Sequence, residues 1–206
     1  MFTGLIETTG RIDALEPTGS GARLRVRTAI GAELTLGESV AVSGVCLTAA
    51  DVTADGFSAD LSPATLSVTT LGRCRTGQLV NLERPVRADA RMGGHFVLGH
   101  VDAVGIIHAL RHDGDCVWLD VDVPAALSPY LISKGSIAVD GISLTVAALE
   151  GCRVGLQIVP FTFAHTALAE AGPADPVNIE ADVLGKYVAR LLATRSATNL
   201  SLPVPS

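Results

Sequence analysis

The sequence predicts an all-β protein made of two consecutive copies of one small closed antiparallel barrel, followed by a single helix. Three observations lead to this prediction. The chain contains a long internal repeat, it has short segments of alternating polar and apolar residues between turn residues, and it carries an apolar stripe at helical spacing near its C-terminus. Its 206 residues leave room for two domains of about 100 residues, a common domain size.

The internal repeat is the strongest of these signals. Residues 39–86 align without a gap to residues 136–183, at an offset of 97. Roughly a third of the aligned positions are identical, far above chance for an ungapped match of this length. Nearer the start of each copy the offset is 95, as Gly4 and Gly99 show. We attribute the difference to a two-residue length change in the hairpin that lies between the positions with the two offsets.

The repeat divides the chain into domains. Copy one is expected to span residues 1–96 and copy two residues 97–182, and the two barrels should abut because no linker rich in Pro, Gly or Ser separates them. Residues 183–195 are predicted to form an amphipathic helix, and residues 196–206 a flexible tail. The helix belongs to neither copy. Its pattern alone leaves open whether it serves assembly or packs on its own chain.

Within each copy, composition predicts strands joined by turns. Two segments alternate polar with apolar residues, the period of a half-buried strand: 23–28 and 116–123. Two more, 39–48 and 136–146, are rich in small and β-branched apolar residues, as expected for core strands. Pro63 and Pro160 each open a segment that favours a short helical turn.

Composition excludes several classes of function. A net charge of −6 and only 15 Lys and Arg residues argue against a nucleic-acid partner, and 48% hydrophobic against 17% charged residues argues against disorder. The N-terminus lacks the pattern of a signal peptide, and no apolar run is long enough to span a bilayer, so a cytoplasmic location is expected. The four cysteines form no Cys-x-x-Cys and are interpreted as free thiols.

The segment 92–102, which joins the two copies, carries two histidines. On a strand, His95 and His100 would face opposite sides, so they are not expected to share a metal ion. Gly99 and Val101 leave room for the ring of His100 to meet a ligand, and its ordinary pKa suits proton transfer near neutrality. A purely structural role for a strand histidine is the alternative.

Each copy also carries a reactive side chain at an equivalent position. Cys46 and Ser143 each lie two residues before a threonine, Thr48 or Thr145, and hence share a strand face with it. The alternative is that the threonine satisfies a turn and that Cys or Ser simply packs. Retention of a potential nucleophile in both copies favours two similar ligand sites.

The charged neighbours of these side chains differ between the copies. Lys134 and Asp140 in copy two replace Gly37 and Ser43 in copy one. Two pockets of one shape but different chemistry could bind two molecules of one substrate in different roles.

Five segments, in order, carry a resemblance to a known family. They are Met1-Phe-Thr-Gly4, Val42-Ser-Gly-Val-Cys-Leu-Thr48, Gly93-Gly-His-Phe-Val-Leu-Gly-His-Val-Asp102, Lys134-Gly-Ser-Ile-Ala-Val-Asp-Gly-Ile-Ser-Leu-Thr145 and Val177-Asn-Ile-Glu180. The chain resembles riboflavin synthase of the alpha-chain type over residues 1–195. The resemblance implies two six-stranded Greek-key barrels and a C-terminal helix that assembles a homotrimer.

The resemblance also implies the reaction. Each barrel would bind one 6,7-dimethyl-8-ribityllumazine, and the active site would form where the N-terminal barrel of one subunit meets the C-terminal barrel of its neighbour. Two lumazines exchange a four-carbon unit, giving riboflavin and 5-amino-6-(D-ribitylamino)uracil, the last step of riboflavin biosynthesis, with no cofactor or metal. An association with lumazine synthase is a further implied partner.

Matching the family motifs residue by residue yields an expected substrate-binding set. The first pocket comprises Gly4, Leu5, Ile6, Cys46, Leu47, Thr48, Asp60, Leu61, Ser62, Pro63, Ala64, Thr65, Gly99, His100 and Val101, and Phe2 and Thr3 would cap the site. The second comprises Lys134, Ser143, Leu144, Thr145, Val159, Pro160, Phe161, Thr162, Phe163 and Ala164. Ala64 and Phe161 stand where the family usually has Glu, so a contact by that carboxylate is not expected.

The expected catalytic residues divide between the pockets. His100 and Cys46 would manage protons or transient addition on the donor side. Ser143, held by Asp140 and Lys134, would deliver an alcohol or water to C7 of the other lumazine; which pocket holds the donor stays open. The alternative function is a non-catalytic lumazine or flavin carrier on the same fold.

Overall fold

A computed structural model describes residues 1–197 of the chain. It confirms the predicted class: an antiparallel β protein with two repeats and a C-terminal helix. Of the tail predicted for residues 196–206, the first two residues end that helix, and residues 198–206 lie outside the described part. In residues 1–197, no helix is long and apolar enough to cross a membrane.

Copy one consists of seven strands and a short helix. The strands are β1 (Thr8–Thr18), β2 (Gly21–Thr28), β3 (Ser39–Val42), β4 (Val45–Thr48), β5 (Asp51–Thr53), β6 (Gly56–Leu61) and β7 (Leu79–Glu83), with α1 (Pro63–Val68) between β6 and β7. They pair antiparallel in the order β4-β3-β7-β1-β2-β6-β5.

Copy two repeats this arrangement. Its elements are β8 (Ala103–Asp113), β9 (Cys116–Asp122), β10 (Ser136–Val139), β11 (Ile142–Glu150), β12 (Arg153–Ile158), α2 (Pro160–Ala164) and β13 (Pro176–Ala181). These strands form a closed barrel in the order β10-β11-β12-β9-β8-β13. The six-stranded antiparallel barrel predicted for this copy is confirmed.

The two copies differ at one strand. In copy two, β11 runs unbroken past both of its partners, β10 and β12. In copy one the equivalent path is interrupted at Ala49 and Ala50, so that β4 and β5 are separate strands at the two ends of a seven-stranded sheet. The Ala50 N–H still bonds the carbonyl of Ser58 on β6 at 2.8 Å. The prediction of six strands for copy one therefore counted two short strands as one.

Alternating strands build a separate core inside each barrel. On β2, Leu24 and Val26 are buried while Arg25 and Arg27 are exposed, as the period-two pattern predicted. On β9, Leu119 and Val121 are buried in the same way. Full burial of such a side chain contributes about 1.5–3 kcal/mol, so each copy has its own hydrophobic centre.

The change of repeat offset lies after the first hairpin of each copy. The hairpin turns at Gly19–Ser20 and Gly114–Asp115 are still 95 residues apart, whereas Ser39 and Ser136 are 97 apart. The intervening connection carries a 3-10 helix of three residues in copy one and six in copy two. The predicted location of the change, in the hairpin itself, is wrong.

Two segments that precede the barrels cross over between them. We call residues 1–6 the first arm and residues 97–102 the second arm. The arms pair at a single antiparallel bridge, where the Phe2 N–H bonds the Val97 carbonyl at 2.7 Å and Val97 returns the bond at 3.2 Å. The first arm contacts copy two and the second arm contacts copy one, because Gly4 meets Ser143 and Gly99 meets Cys46.

Two buried asparagines join the barrels directly. The side chain of Asn178 donates to the Ser43 carbonyl at 2.8 Å and to the Thr70 hydroxyl at 2.9 Å, and accepts from the Thr70 N–H at 2.8 Å. Asn81 donates to the Asp140 carbonyl at 2.9 Å and accepts from the Ala167 N–H at 2.7 Å. These bonds satisfy polar groups that the contact between copies would otherwise bury unpaired.

The C-terminal helix, α3 (Val183–Ala197), confirms the predicted helix of residues 183–195. Its apolar stripe is exposed in the single chain; the exposed side chains are Leu184, Tyr187, Val188, Leu191 and Leu192. Lys186 ties the first turn of α3 to Asp102 of the second arm through an ion pair of 2.6 Å. The chain thus anchors the base of the helix, while more than half of the surface of each of these apolar side chains stays exposed.

Candidate active site

Ser143 stands at the start of β11, immediately after a tight turn. Asp140 and Gly141 adopt left-handed backbone angles there, with φ of 46° and 78°, which turn the chain from β10 into β11. The Ser143 N–H donates to the Gly4 carbonyl at 2.8 Å. A Cβ on Gly4 would lie 2.6 Å from the Cβ of Ser143. Only glycine permits this close approach of the first arm.

His95 is the side chain that Ser143 contacts. The Nδ1 of His95 and the Oγ of Ser143 are 2.7 Å apart, and His95 is 8% exposed. Burial lowers the pKa of His95, and the nearby charge of Asp182 opposes that shift. A histidine that is neutral at pH 7 can accept the proton of the serine hydroxyl at Nδ1. Its Nε2 has no hydrogen-bond partner among residues 1–197.

Cys46 occupies the equivalent place in copy one. Its N–H donates to the Gly99 carbonyl at 2.9 Å, and a Cβ on Gly99 would lie 2.6 Å from the Cβ of Cys46. The half-buried thiol packs beside the cluster of Phe2 and Val97. The backbone frames of the two sites therefore match, whereas in the described chain the thiol has no hydrogen-bonded histidine.

Alternation on the strands confirms that the reactive side chains and the threonines face the same way. Leu47 is buried in the core of copy one, while Cys46 is half-buried and Thr48 is exposed. Ser143 and Thr145 follow the same pattern on β11. Both sites hence lie on the outer surface of a barrel, where an arm of the other copy covers one side.

The second arm carries His100 directly after Gly99, the residue that lies against Cys46. The ring of His100 is exposed, and its backbone N–H bonds Glu180 at 3.0 Å. Val101 packs on the core of copy one, which agrees with its predicted place in the first pocket. His95 and His100 thus serve different copies, although the segment between them bridges as a strand only at Val97.

The structure corrects the expected support of Ser143. The Asp140 side chain is bonded within copy two, to β13, where its Oδ1 accepts the Asn178 N–H at 2.8 Å. Burial raises the pKa of Asp140 to about 7. Lys134 is exposed. In the part of the chain that the structure describes, His95 is the hydrogen-bonded partner of the Ser143 hydroxyl, so the prediction that Asp140 and Lys134 hold it is wrong.

The first arm is also placed differently from the expectation. Gly4 lies against Ser143, and Ile6 packs on the core of copy two. The assignment of Gly4, Leu5 and Ile6 to the first pocket is therefore wrong; they border the second. Phe2 is fully buried and Thr3 is 6% exposed, which places both beneath the sites and not as a cap over them.

The predicted helical turns are present beside each barrel. Ser62 caps α1 by accepting the Thr65 N–H at 3.1 Å, and Asp60 pairs with Arg23 at 2.8 Å. On α2, Phe161 is 72% exposed and its ring stacks on His165 with centroids 4.0 Å apart. Exposed rings at a barrel surface offer contact area to a planar ligand or to a second subunit.

Sequence reasoning named His95 but assigned it no role. It treated residues 95–100 as a regular strand, where the two histidines diverge, and chose the one with small neighbours. The available signal was Gly93-Gly94. Gly94 lets the chain pass over Ser143, because a Cβ there would lie 2.0 Å from the Thr3 carbonyl and 3.0 Å from the Ser143 Oγ.

These two matched sites agree with what comparison with known families shows. The family described as the lumazine binding domain matches the chain twice, at residues 3–85 and 98–182. Fold and sites therefore define a protein with two tandem lumazine-binding domains.

Proteins with similar sequences assign the chain to a more specific family. Riboflavin synthase from Photobacterium phosphoreum is 43% identical over 194 residues, covering 93% of this chain and 89% of that protein. The Bacillus subtilis enzyme is 40% identical with 93% and 90% coverage, and the Mycobacterium tuberculosis enzyme is 42% identical with 93% and 98% coverage. The chain belongs to the riboflavin synthase family. It is an enzyme that forms riboflavin, a transferase reaction.

Solved structures show the same fold at low identity. LumP complexed with 6,7-dimethyl-8-(1'-D-ribityl) lumazine superposes with a TM-score of 0.80 at 20% identity, covering 88% of this chain and 99% of that chain. LumP complexed with riboflavin superposes with a TM-score of 0.82 at 20% identity and the same coverage.

Proposed function

We propose that each copy binds one molecule of 6,7-dimethyl-8-ribityllumazine and that riboflavin forms between two molecules so held. One lumazine donates a four-carbon unit to the other, releasing 5-amino-6-(D-ribitylamino)uracil, in the last step of riboflavin biosynthesis. One observation supports this division. The sites share a backbone frame, Gly4 on Ser143 and Gly99 on Cys46, but offer different reactive side chains.

The second pocket supplies the nucleophile in this proposal. Ser143, or a water that it holds, adds to C7 of the bound lumazine while the hydroxyl proton passes to Nδ1 of His95. The hydrogen bond of 2.7 Å between Oγ and Nδ1 supports that transfer. Because burial lowers the pKa of His95, the ring is a free base at pH 7 and can take the proton. His95 replaces Asp140 and Lys134 in the role assigned to them from the sequence.

The first pocket manages the other lumazine. Cys46 and the exposed ring of His100 are proposed to take the proton from its C7 methyl group or to add transiently to it. Lying on the second arm beside Gly99, His100 can move its ring toward a ligand without disturbing the barrel. Alignment of two lumazines is itself worth on the order of 7–11 kcal/mol of barrier.

Assembly completes the sites in this proposal. Both reactive side chains lie on outer barrel surfaces, so a neighbouring subunit can close the open side of each pocket. The exposed apolar stripe of α3 supports a homotrimer joined by this helix, with Leu191 65% exposed. Leu191→Glu and Tyr187→Glu should each lower the mass measured by sedimentation equilibrium from three chains to one. A trimer that survives both changes would remove α3 from the interface.

Two further features stay predictions from the resemblance. The enzyme is expected in the cytoplasm, where fractionation should recover it with other soluble enzymes. An association with lumazine synthase is expected as well, and co-sedimentation of the two purified proteins would test it.

The decisive experiment for the function adds lumazine to the purified protein. Riboflavin absorbance should rise, with two lumazines consumed for each riboflavin formed. Lumazine that stays bound and unconverted would instead favour the carrier function, which the fold shared with LumP makes the second candidate. Cys46→Ala and His100→Ala should lower turnover far more than lumazine affinity; unchanged turnover would remove these residues from the mechanism.

A further inference from the structure

The last strand of each copy carries a buried glutamate near its end that no step of the reaction uses. Glu83 closes β7 and is 4% exposed; Glu180 lies on β13 and is 3% exposed. Both pair with an alanine of a core strand, Ala41 for Glu83 and Ala138 for Glu180. A buried carboxylate is costly unless hydrogen bonds satisfy it.

The bonds to Glu83 come from the first arm. Its Oε1 accepts the Thr3 N–H at 2.6 Å and the Thr3 hydroxyl at 2.8 Å, and its Oε2 accepts the Gly4 N–H at 2.9 Å. The carbonyl of Thr3 in turn accepts the His95 N–H at 3.1 Å. Glu83 therefore fixes both neighbours of Ser143, namely Gly4 and His95.

The bonds to Glu180 come from the second arm in the same way. Its Oε1 accepts the Leu98 N–H at 2.8 Å, and its Oε2 accepts the Gly99 N–H at 2.9 Å and the His100 N–H at 3.0 Å. Gly99, the middle residue of these three, is the one that lies against Cys46. Burial raises the pKa of both glutamates, and the N–H groups of the arms oppose that shift.

The connection is crosswise. Glu83 belongs to copy one, but the arm it holds borders Ser143 of copy two. Glu180 belongs to copy two, but its arm borders Cys46 of copy one. Only a carboxylate has an acceptor on each of two oxygens for adjacent N–H groups; glutamine would direct an NH₂ at one of them.

We propose that Glu83 and Glu180 are positioning residues. Each sets the geometry of the pocket in the opposite copy, because its hydrogen bonds hold an arm in place against that pocket. This inference rests on the proposed function of the two pockets. It predicts that loss of one carboxylate impairs the distant pocket and spares the one in its own copy. A merely structural role would instead disturb both pockets together.

Amide hydrogen exchange tests whether the two glutamates hold the arms in place, and it requires no catalytic turnover. In the full chain, Glu83→Gln should speed amide exchange at least about tenfold in peptides that cover residues 1–6 and 142–145, because the glutamine NH₂ faces one arm N–H and leaves it without an acceptor. Peptides that cover residues 45–48 and 97–102 should keep their rates. Glu180→Gln should give the reverse pattern, so each variant is the matched control of the other.

Rate measurements test the consequence for catalysis. Glu83→Gln should lower lumazine conversion about tenfold on its own and have little further effect when Ser143→Ala is present. With Cys46→Ala, the two losses should multiply. Glu180→Gln should couple to Cys46 and act independently of Ser143. Thr3→Val removes the hydroxyl bond to Glu83 and the weaker bond that the hydroxyl accepts from the Leu5 N–H at 3.3 Å, both within the first arm. It offers a milder variant if Glu83→Gln does not fold, with the same direction of coupling.

The outcomes separate the two proposals. The crosswise pattern of exchange in a chain that forms no riboflavin would support the positioning role of Glu83 and Glu180 and contradict the proposed function. Exchange that rises equally at both arms, or rate losses that multiply with both Ser143→Ala and Cys46→Ala, would overturn the positioning role while leaving the function intact.

Discussion

The two copies of this chain have the same backbone at their reactive positions and different chemistry. In copy two, the Ser143 hydroxyl is bonded to a buried histidine, His95. In copy one, the Cys46 N–H bonds the carbonyl of the equivalent glycine, Gly99, but the thiol has no histidine partner in the described residues. The duplication thus gave two equivalent backbone arrangements around the reactive side chains. The two sites differ because the segment that joins the copies places His95 beside Ser143 only.

The comparison extends to how the copies hold each other. Asn81 and Asn178 make matching bonds across the contact, and Ser43 and Asp140 fill matching turns. Yet Ser43 is neutral, whereas Asp140 can ionise. The two matching turns therefore differ in that only the turn of copy two carries an ionisable side chain.

The largest effect should come from removal of the histidine that distinguishes copy two. His95→Gln is expected to lower riboflavin formation at least about a hundredfold, because glutamine cannot accept the Ser143 proton. Initial rates of riboflavin absorbance measure this. His108→Gln, on the outer side of β8, is the control and should stay within about twofold of wild type. A wild-type rate for the His95→Gln enzyme would show that the hydrogen bond between His95 and Ser143 has only a structural role.

The next effect compares the two buried asparagines. Asn178→Ala should lower the free energy of unfolding by about 2–4 kcal/mol and Asn81→Ala by about 1–3 kcal/mol. The difference arises because Asn178 also bonds the Thr70 hydroxyl, for which Ala167 offers no counterpart. Urea unfolding of both variants measures it. A larger loss for Asn81→Ala would contradict the assigned bonds.

The pH dependence of the stability should be a smaller effect than these, and we expect it to arise from Asp140 in copy two. Burial raises the pKa of Asp140 from 3.8 to about 7. At a pH between these two values, Asp140 therefore keeps a proton in the folded chain that it has lost in the unfolded chain. The stability that this proton contributes is complete below about pH 4 and is lost as pH rises through 7. Asp140→Asn should therefore match wild type at pH 4 and exceed its stability at pH 8.

The difference at pH 8 should be about 2 kcal/mol, since the half-buried side chain is partly screened by solvent. Thermal unfolding of both proteins across this range measures it, with Ser43→Ala as the variant whose effect should not change with pH. An Asp140→Asn protein that gains nothing between pH 4 and pH 8 would contradict the raised pKa.

The smallest effect concerns an exposed ion pair between the copies. Arg11 bonds Glu170 at 2.6 Å, and both side chains are about half exposed. Arg11→Ile copies the equivalent residue of copy two, Ile106, and should leave the unfolding midpoint unchanged within error because exposed pairs contribute little. A clear loss would show that this pair helps to join the barrels.

Much of the fold could be predicted because its signals are local. Alternation on β2 and β9, the glycines of the turns and the spacing on α3 each depend on neighbours within a few residues. The equivalence of Cys46 and Ser143 followed from the repeat alone. These predictions needed no knowledge of how the copies meet.

The exchange of arms could not be predicted in this way. Gly4 meets Ser143, a residue far along the chain, and no periodicity records such a pairing. The same holds for the asparagines, and for the Asp140 carbonyl, which accepts the Asn81 side chain across the contact. The role of His95 was missed because the period-two rule assumes a regular strand, and the chain beside His95 is irregular where Gly94 passes over Thr3.

The central claim is that His95 and Ser143 act as one unit that copy one lacks. A double-mutant cycle on lumazine conversion tests it most directly, with His95→Gln, Ser143→Ala and the combined variant assayed for rate and for lumazine binding. The account predicts that the combined variant is no slower than the slower single variant and that all three still bind lumazine. Losses that multiply in the combined variant would contradict it.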